Sequence, residues 1–176
     1  TKRIRATMAA GLMKAGVSVI DIGLSSTPTF YWSLYKFDVN GGVMVTGSHN
    51  PKEFNGLKVA FEKSTLWADD ILEISRIIEQ DRMIEAEVPG TLSFADITAE
   101  YIDMLTSKIT LGARRPKIVC DSGNGTGGLY APEFLRRIGC DVAELFSEPD
   151  GTFPNHHPYP IKRENLPKLI EKVLET

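Results

Sequence analysis

The sequence predicts an α/β fold in which mixed, mostly parallel sheets are covered by helices, arranged as two consecutive units. Short apolar runs typical of strands alternate with longer segments in which apolar residues recur at helical spacing. A polar segment over residues 81–94, which contains Pro89 and Gly90, interrupts this alternation and indicates a linker. We therefore predict a first unit over residues 1–80 and a second over residues 95–176.

The first unit begins with a helical pattern, because Ile4, Met8 and Leu12 recur at every fourth residue. Gly16 is a suitable end for that helix. The elements expected after it are a strand over 17–23, an aromatic-rich helix over 29–37, strands over 43–45 and 56–61, and a helix over 71–78.

The second unit shows the same alternation of strand and helix patterns. A short helix is expected near 95–107, a strand from Lys117, then a turn and helix up to Gly139, and a strand over Val142–Phe146. A last helix is indicated by Leu166, Leu169, Ile170, Val173 and Leu174. Because the chain opens and closes inside helical patterns, we expect the natural protein to extend beyond both ends.

Composition and charge exclude several classes of protein. The hydrophobic share of 42% and the charged share of 24% exclude disorder, collagen and coiled coil. The sequence contains no apolar run of the roughly 18–20 residues that span a bilayer, and charges interrupt the first residues where a signal peptide is apolar. A net charge of −3 without a basic block disfavours nucleic-acid binding. We expect a cytoplasmic protein without membrane or nucleic-acid partners, in which Cys120 and Cys140 are reduced.

The residues best suited to catalysis or phosphate binding lie in the polar loop that follows the second predicted strand. Function concentrates at the carboxyl ends of strands in α/β folds. Ser48 offers a hydroxyl that can act as nucleophile or phosphate carrier, and His49 places an imidazole beside it. Thr46, Asn50 and backbone N–H groups can bind oxygens, and Lys58 supplies positive charge. The same residues also occur in ordinary turns, so the pattern alone leaves both interpretations open.

Three motifs in order resemble one known family. Residues 46–51, TGSHNP, followed by NGLK at 55–58, are similar to the phosphoserine loop of the α-D-phosphohexomutases, and Gly47 resembles the phosphomannomutase/phosphoglucomutase branch. Residues 121–128 resemble the glycine-rich turn near the start of that family's second domain, and residues 150–158 resemble a segment further along it. The resemblance covers essentially the whole chain and implies two phosphohexomutase-type units, the second truncated.

The resemblance implies a phosphomannomutase/phosphoglucomutase activity of the isomerase class. Phosphate moves reversibly between the 1- and 6-positions of a hexose, with glucose or mannose 1,6-bisphosphate as activator and intermediate, in carbohydrate metabolism and sugar-nucleotide supply. Ser48 would carry the phosphate, which would bind Mg²⁺. Lys58 would act in general acid/base catalysis at the sugar hydroxyl. His49 is a further catalytic candidate that hydrogen-bonds around the phosphoserine with Asn50, supported by Thr46 and Gly47; pure loop structure is the alternative for His49 and Asn50.

The chain also departs from the family pattern. The Arg-containing loop of the family's first domain and its metal loop, Asp-Gly-Asp-x-Asp-Arg, are absent from the sequence. The resemblance therefore implies a fragment with most of domain 1 and the first part of domain 2. In such a fragment Ser48 phosphate is a metal ligand without carboxylate partners. We expect this chain alone to be inactive and its truncated second unit to self-associate through exposed strand edges.

Alternative interpretations stay open at this point. Phosphoglucosamine mutase is the nearest rival within the family. The sequence leaves the sugar open, because the residues that contact the C2 hydroxyl are expected in the family's third domain, which this sequence lacks. Residues 123–128 satisfy G-x-G-x-x-G, and Asp141 and Glu144 follow at about 20 residues, which suggests a dinucleotide-binding unit. A tight turn that needs glycine for backbone conformation explains the same residues.

A binding module without chemistry is the non-enzymatic alternative. Retention of Ser48, His49 and Lys58 together argues against it. A zinc site at His156 and His157 is also disfavoured, because adjacent residues of an extended chain point to opposite sides and no Cys or HExxH partner accompanies them.

Overall fold

The computed structural model describes residues 2–51 and 53–176, in which helices and strands alternate. The chain divides into two compact units. The first holds the chain up to Gly23 together with Phe30–Asp96, and the second holds Leu24–Thr29 together with Ile97–Thr176. The α/β class expected from the alternation of apolar patterns is confirmed.

Among the residues described up to Asp96, the chain forms three helices and five strands, and these strands make two small sheets. In chain order the elements are α1 (Lys2–Lys14), β1 (Val19–Asp21), α2 (Thr27–Lys36), β2 (Gly41–Thr46), β3 (Gly56–Phe61), β4 (Ser64–Thr65), α3 (Asp69–Glu79) and β5 (Leu92–Phe94).

Strand β5 pairs in parallel with β1, with Val19 opposite Leu92 and Asp21 opposite Phe94. This strand lies inside the segment over 81–94 for which a linker was expected. Its residues are exposed and its length is three residues, so alternation of apolar and polar residues is too short to be recognised in it. The end of that segment therefore belongs to a sheet of the first unit.

Strands β2, β3 and β4 form an antiparallel sheet. Only residues 47–55 separate β2 from β3 along the chain, and so short a connection requires the antiparallel arrangement. The β2–β3 register runs from Gly41 opposite Phe61 to Thr46 opposite Gly56. Paired residues share a face of the sheet, so Met44 and Lys58, which are opposite each other, lie on one face.

The core of the first unit forms where α2 covers one face of that sheet. Phe30 and Leu34 of α2 pack with Ala60 of β3, and all three are at least 95% buried. On the opposite face of β3, Leu57 is 48% and Phe61 62% exposed. Side chains therefore alternate along this strand, and the face that carries Lys58 and Ala60 is the one that α2 covers.

The second unit contains a parallel strand pair with helices beside it. Its elements are α4 (Thr98–Thr106), β6 (Lys117–Asp121), α5 (Ala131–Arg137), β7 (Asp141–Leu145) and α6 (Pro167–Glu175), with single turns of 3₁₀ helix at Thr126–Leu129 and Arg163–Asn165. Within residues 2–51 and 53–176, none of the helices is long and apolar enough to cross a membrane.

Strands β6 and β7 pair from Lys117 opposite Asp141 to Asp121 opposite Leu145, so both carboxyl ends lie at the same edge. In the same unit, Tyr101 and Tyr130 are buried and meet edge to face with ring centroids 5.6 Å apart. This packing holds α4 against the segment that begins α5.

The β2–β3 register generates a test at Gly41. A Cβ at this residue would lie 2.6 Å from the carbonyl oxygen of Ala60 on the paired strand. We expect Gly41→Ala to lower the free energy of unfolding by about 1–3 kcal/mol, measured by urea denaturation. The matched control is Gly11→Ala in α1, where a Cβ meets no atom within 4 Å and alanine favours the helix by up to about 1 kcal/mol. Equal stability of the two variants would contradict the close approach at Gly41.

Candidate active site

The turn that follows β2 presents Ser48 to solvent. Ser48 has a left-handed backbone with φ of 54°, and its N–H donates to the hydroxyl oxygen of Thr46 at 3.0 Å. The N–H of Asn50 donates to the carbonyl oxygen of Gly47 at 3.0 Å. These two bonds reverse the chain directly after the strand, and Ser48 and Asn50 are both exposed.

Glycine at residue 47 allows the two sides of the loop to approach each other. A Cβ there would lie 2.9 Å from the carbonyl oxygen of Phe54, on the segment that returns toward β3. The N–H of Phe54 in turn donates to the carbonyl oxygen of Pro51 at 3.0 Å. The loop is therefore narrow, and its apex consists of the residues for which chemistry was expected.

Lys58 lies on the strand that returns from this loop. It stands opposite Met44, and since side chains alternate along β2, its side chain shares a face with Thr46. Lys58 is two residues inside the strand from Gly56, which is about 7 Å along its direction. The four-carbon stem of lysine spans a distance of this order. The geometry is thus compatible with an ammonium group beside the turn that holds Ser48.

His49 follows Ser48 in the same turn and is exposed. The structure therefore brings Thr46, Gly47, Ser48, His49 and Asn50 together within one reversal of the chain. Hydroxyl, amide and imidazole groups at such an apex can donate to or accept from the oxygens of a phosphate.

A metal site does not form from these residues by themselves. Among residues 2–51 and 53–176, no group of three or more His, Cys, Asp or Glu side chains is placed to hold an ion. The side chains of Thr46 and Asn50 offer neutral oxygens, whereas proteins bind Mg²⁺ through carboxylates together with phosphates. The donor set around Ser48 does not fit Mg²⁺ in the absence of further ligands.

The glycine-rich turn after β6 uses its backbone N–H groups internally. A dinucleotide-binding loop must leave such groups free for the pyrophosphate. Here four of them donate to acceptors of the second unit itself: Gly123 to the Asp121 carboxylate, Asn124 to the Phe146 carbonyl, Gly125 to the Ser122 carbonyl and Gly128 to the Gly125 carbonyl. A Cβ at Gly128 would also lie 1.8 Å from the carbonyl oxygen of Ser147. The geometry therefore favours a packed structural turn over a dinucleotide site.

Asn124 joins the loops that follow β6 and β7, and it is 8% exposed. Its side-chain nitrogen donates to the carbonyl of Glu148 at 2.9 Å, and its side-chain oxygen accepts from the amide of Asn155 at 2.8 Å. Its backbone carbonyl accepts the N–H of Asp150 at 2.9 Å. Sequence reasoning did not identify this role, and the only local sign of it is an asparagine between two glycines, where a left-handed backbone is tolerated.

Cys120 lies in β6 and Cys140 precedes β7, and both thiols are free. Burial raises the pKa of the Cys120 thiol. The thiolate is the reactive form of cysteine, so this residue is not an activated nucleophile at neutral pH.

The comparisons with known proteins agree with the fold and with the motifs. The matching family models are phosphoglucomutase/phosphomannomutase alpha/beta/alpha domain I over residues 1–85 and domain II over residues 99–176. A crystal structure of a phosphoglucomutase/phosphomannomutase family protein from Burkholderia thailandensis matches 99% of this chain with a TM-score of 0.91 and 34% identity, and 39% of that chain is covered.

Curated relatives show the same likeness. The chain is 41% identical over 161 residues to a phosphoglucomutase of Neisseria gonorrhoeae, and 40% identical over 166 residues to a phosphomannomutase/phosphoglucomutase of Pseudomonas syringae pv. tomato. These alignments cover 91% and 94% of this chain, and the chain spans 35% of the length of each relative. The chain belongs to the phosphoglucomutase/phosphomannomutase family.

The network around Asn124 generates a prediction about stability. Asn124→Ala removes two side-chain hydrogen bonds and places alanine in a left-handed backbone. We expect the free energy of unfolding to fall by about 2–4 kcal/mol in chemical denaturation. Asn155→Ala is the matched control, because it removes one of the two bonds at an exposed position, and its cost should be about 1 kcal/mol. A larger loss in the control than in Asn124→Ala would refute the central role of Asn124.

Proposed function

We propose that this chain supplies the phosphate-carrying serine of a phosphomannomutase/phosphoglucomutase, an intramolecular phosphotransferase of the isomerase class. The observation that carries the proposal is the exposed, left-handed Ser48 at the apex of the turn after β2. Membership of the family supports it. The substrates would be hexose 1- and 6-phosphates, and the same proposal places the enzyme in the cytoplasm.

The chemistry consists of two phosphoryl transfers of opposite direction. In the first, the bond between the Ser48 oxygen and phosphorus breaks while a hydroxyl oxygen of the sugar monophosphate forms a bond to the same phosphorus. The product is a hexose 1,6-bisphosphate. After this intermediate has reversed its orientation, its other phosphate returns to the Ser48 oxygen, so the serine is phosphorylated again at the end of the cycle.

Lys58 is the proposed acid and base. As a neutral amine it accepts the proton of the attacking sugar hydroxyl in the first transfer, and as an ammonium it returns that proton to the departing sugar oxygen in the second. Its position on the face of the sheet that leads to the Ser48 turn supports this assignment. His49 and Asn50 complete the proposal as hydrogen-bonding partners of the phosphoserine.

The proposed cofactor is Mg²⁺, bound to the Ser48 phosphate. The described residues do not gather carboxylates for such an ion, and phosphate alone does not replace them. We therefore expect the 176-residue chain by itself to be inactive. Tests of turnover accordingly use a protein of the relatives' full length that contains this chain.

The carrier role predicts a specific modification. After exposure of that full-length protein to glucose 1,6-bisphosphate and Mg²⁺, peptide mass spectrometry should locate phosphate on Ser48. Ser48→Ala should lose both this phosphate and mutase turnover, because no oxygen remains to accept the phosphoryl group. Ser64→Ala, at an exposed serine of β4, is the matched control and should retain both. An unmodified Ser48 in folded, metal-loaded protein would exclude the carrier role and the mechanism built on it.

The hydrogen bond from the Ser48 N–H to the Thr46 hydroxyl predicts a partial loss of the rate of Ser48 phosphorylation. Thr46→Val removes the oxygen that accepts the Ser48 N–H, so Ser48 is held less firmly in its exposed position. We expect the rate of Ser48 phosphorylation to fall about two- to tenfold, the equivalent of one ordinary hydrogen bond. Thr46→Ser keeps the oxygen and should remain close to the unmodified rate. If Thr46→Val kept the unmodified rate, or if Thr46→Ser were as slow as Thr46→Val, the hydrogen bond from the Ser48 N–H to the Thr46 hydroxyl would not be the cause.

A further inference from the structure

The side chain of His156 is fixed between two hydrogen-bond acceptors. It lies on the loop after β7 and is 17% exposed, and the Asp121 side chain that it contacts is 9% exposed. Its Nε2 is 3.1 Å from both carboxylate oxygens of Asp121. Its Nδ1 is 3.0 Å from the carbonyl oxygen of His157. A carbonyl and an ionised carboxylate only accept, so both bonds exist together only when both ring nitrogens carry a proton.

The ring is also enclosed by its neighbours. Gly123 passes so close that a Cβ there would lie 2.9 Å from Cε1 of His156. Phe146 meets the imidazole edge to face, with ring centroids 5.5 Å apart and planes at 73°. In so close a packing, the ring cannot turn away from Asp121 unless the loop that carries it moves as well.

The charges around the ring favour the protonated form. Among the described residues, Asp121 of β6 is the charged side chain in contact with it. On the neighbouring elements, Glu144 of β7 is paired with Arg136, and Asp150 of the same loop accepts from Thr152. Burial by itself lowers the pKa of His156, but the bonds to the His157 carbonyl and to Asp121 outweigh it and place the pKa above its ordinary value.

We propose that His156 is a pH-operated latch: as an imidazolium it fastens the loop over residues 147–160 to the glycine-rich turn over residues 121–128, and loss of its proton loosens the loop, which the bonds of Asn124 continue to hold. A neutral imidazole has one N–H, so it must abandon either Asp121 or the His157 carbonyl. Because the pKa in the folded chain is raised, the stabilisation is fully present below about pH 6.5 and is lost as the pH rises through the folded pKa. This latch lies in the second unit and does not depend on the chemistry proposed for Ser48.

The test is a pH titration of the histidine rings of the 176-residue chain by nuclear magnetic resonance. His157 is exposed and serves as the internal reference. We expect His156 to titrate at a higher pH than His157, with both of its nitrogens protonated below that pH. The amide of Asp150, which is bonded to Asn124, should lose protection from hydrogen exchange through the same pH range, after correction for the intrinsic rate. Titration of His156 at or below the pH of His157 would overturn the proposal.

Two variants separate the latch from general effects of pH. Asp121→Asn keeps an oxygen for the Gly123 N–H but removes the charge, so the pKa of His156 should fall by about one to three units. His156→Gln should abolish the pH dependence of loop protection, whereas His157→Gln, the matched control, should retain it. An unchanged His156 pKa in Asp121→Asn, or an unchanged pH profile in His156→Gln, would refute the latch. The titration of the unmodified chain decides the question even where a variant does not fold.

Discussion

The register of β2 against β3 is the constraint on which the candidate active site depends. Side chains alternate along both strands, so a slip of one residue would turn Lys58 away from the face that carries Thr46. The paired strand passes so near Gly41 that a Cβ there would lie 2.6 Å from the Ala60 carbonyl oxygen, so this register requires glycine at residue 41. Since Ala60 also belongs to the core beneath α2, the packing that stabilises the first unit is the same packing that sets the geometry of the site.

Polar groups at the strand ends are exposed in the first unit and hydrogen-bonded to one another in the second. In the first, the turn after β2 leaves Ser48 and its neighbours exposed to solvent. In the second, the loops after β6 and β7 bind each other through the buried Asn124 and the half-buried His156. Polar groups that are already paired have little left to offer a ligand. This contrast is why chemistry is proposed for the first unit and a structural role for the second.

Local patterns were sufficient to predict much of this arrangement from sequence. The loop residues 46–50 are contiguous, and alternation along β3 gives the face of Lys58. Pairings between distant segments could not be predicted, because no local pattern encodes that β5 joins β1 or that His156 meets Asp121. The sequence also does not predict which face of β3 is buried. Leu57 and Phe61 are the larger apolar residues, yet α2 covers the smaller Ala60.

At Ser48 the left-handed backbone and the proposed chemistry favour different amino acids. Glycine and asparagine adopt that conformation with less strain than serine does, whereas phosphate transfer needs a hydroxyl. A library of this chain selected for thermostability alone would therefore enrich glycine or asparagine at residue 48 and discard the carrier oxygen. Residue 48 is thus a place where optimisation of folding and retention of chemistry lead to different amino acids, and consensus or stability-guided redesign must hold it fixed.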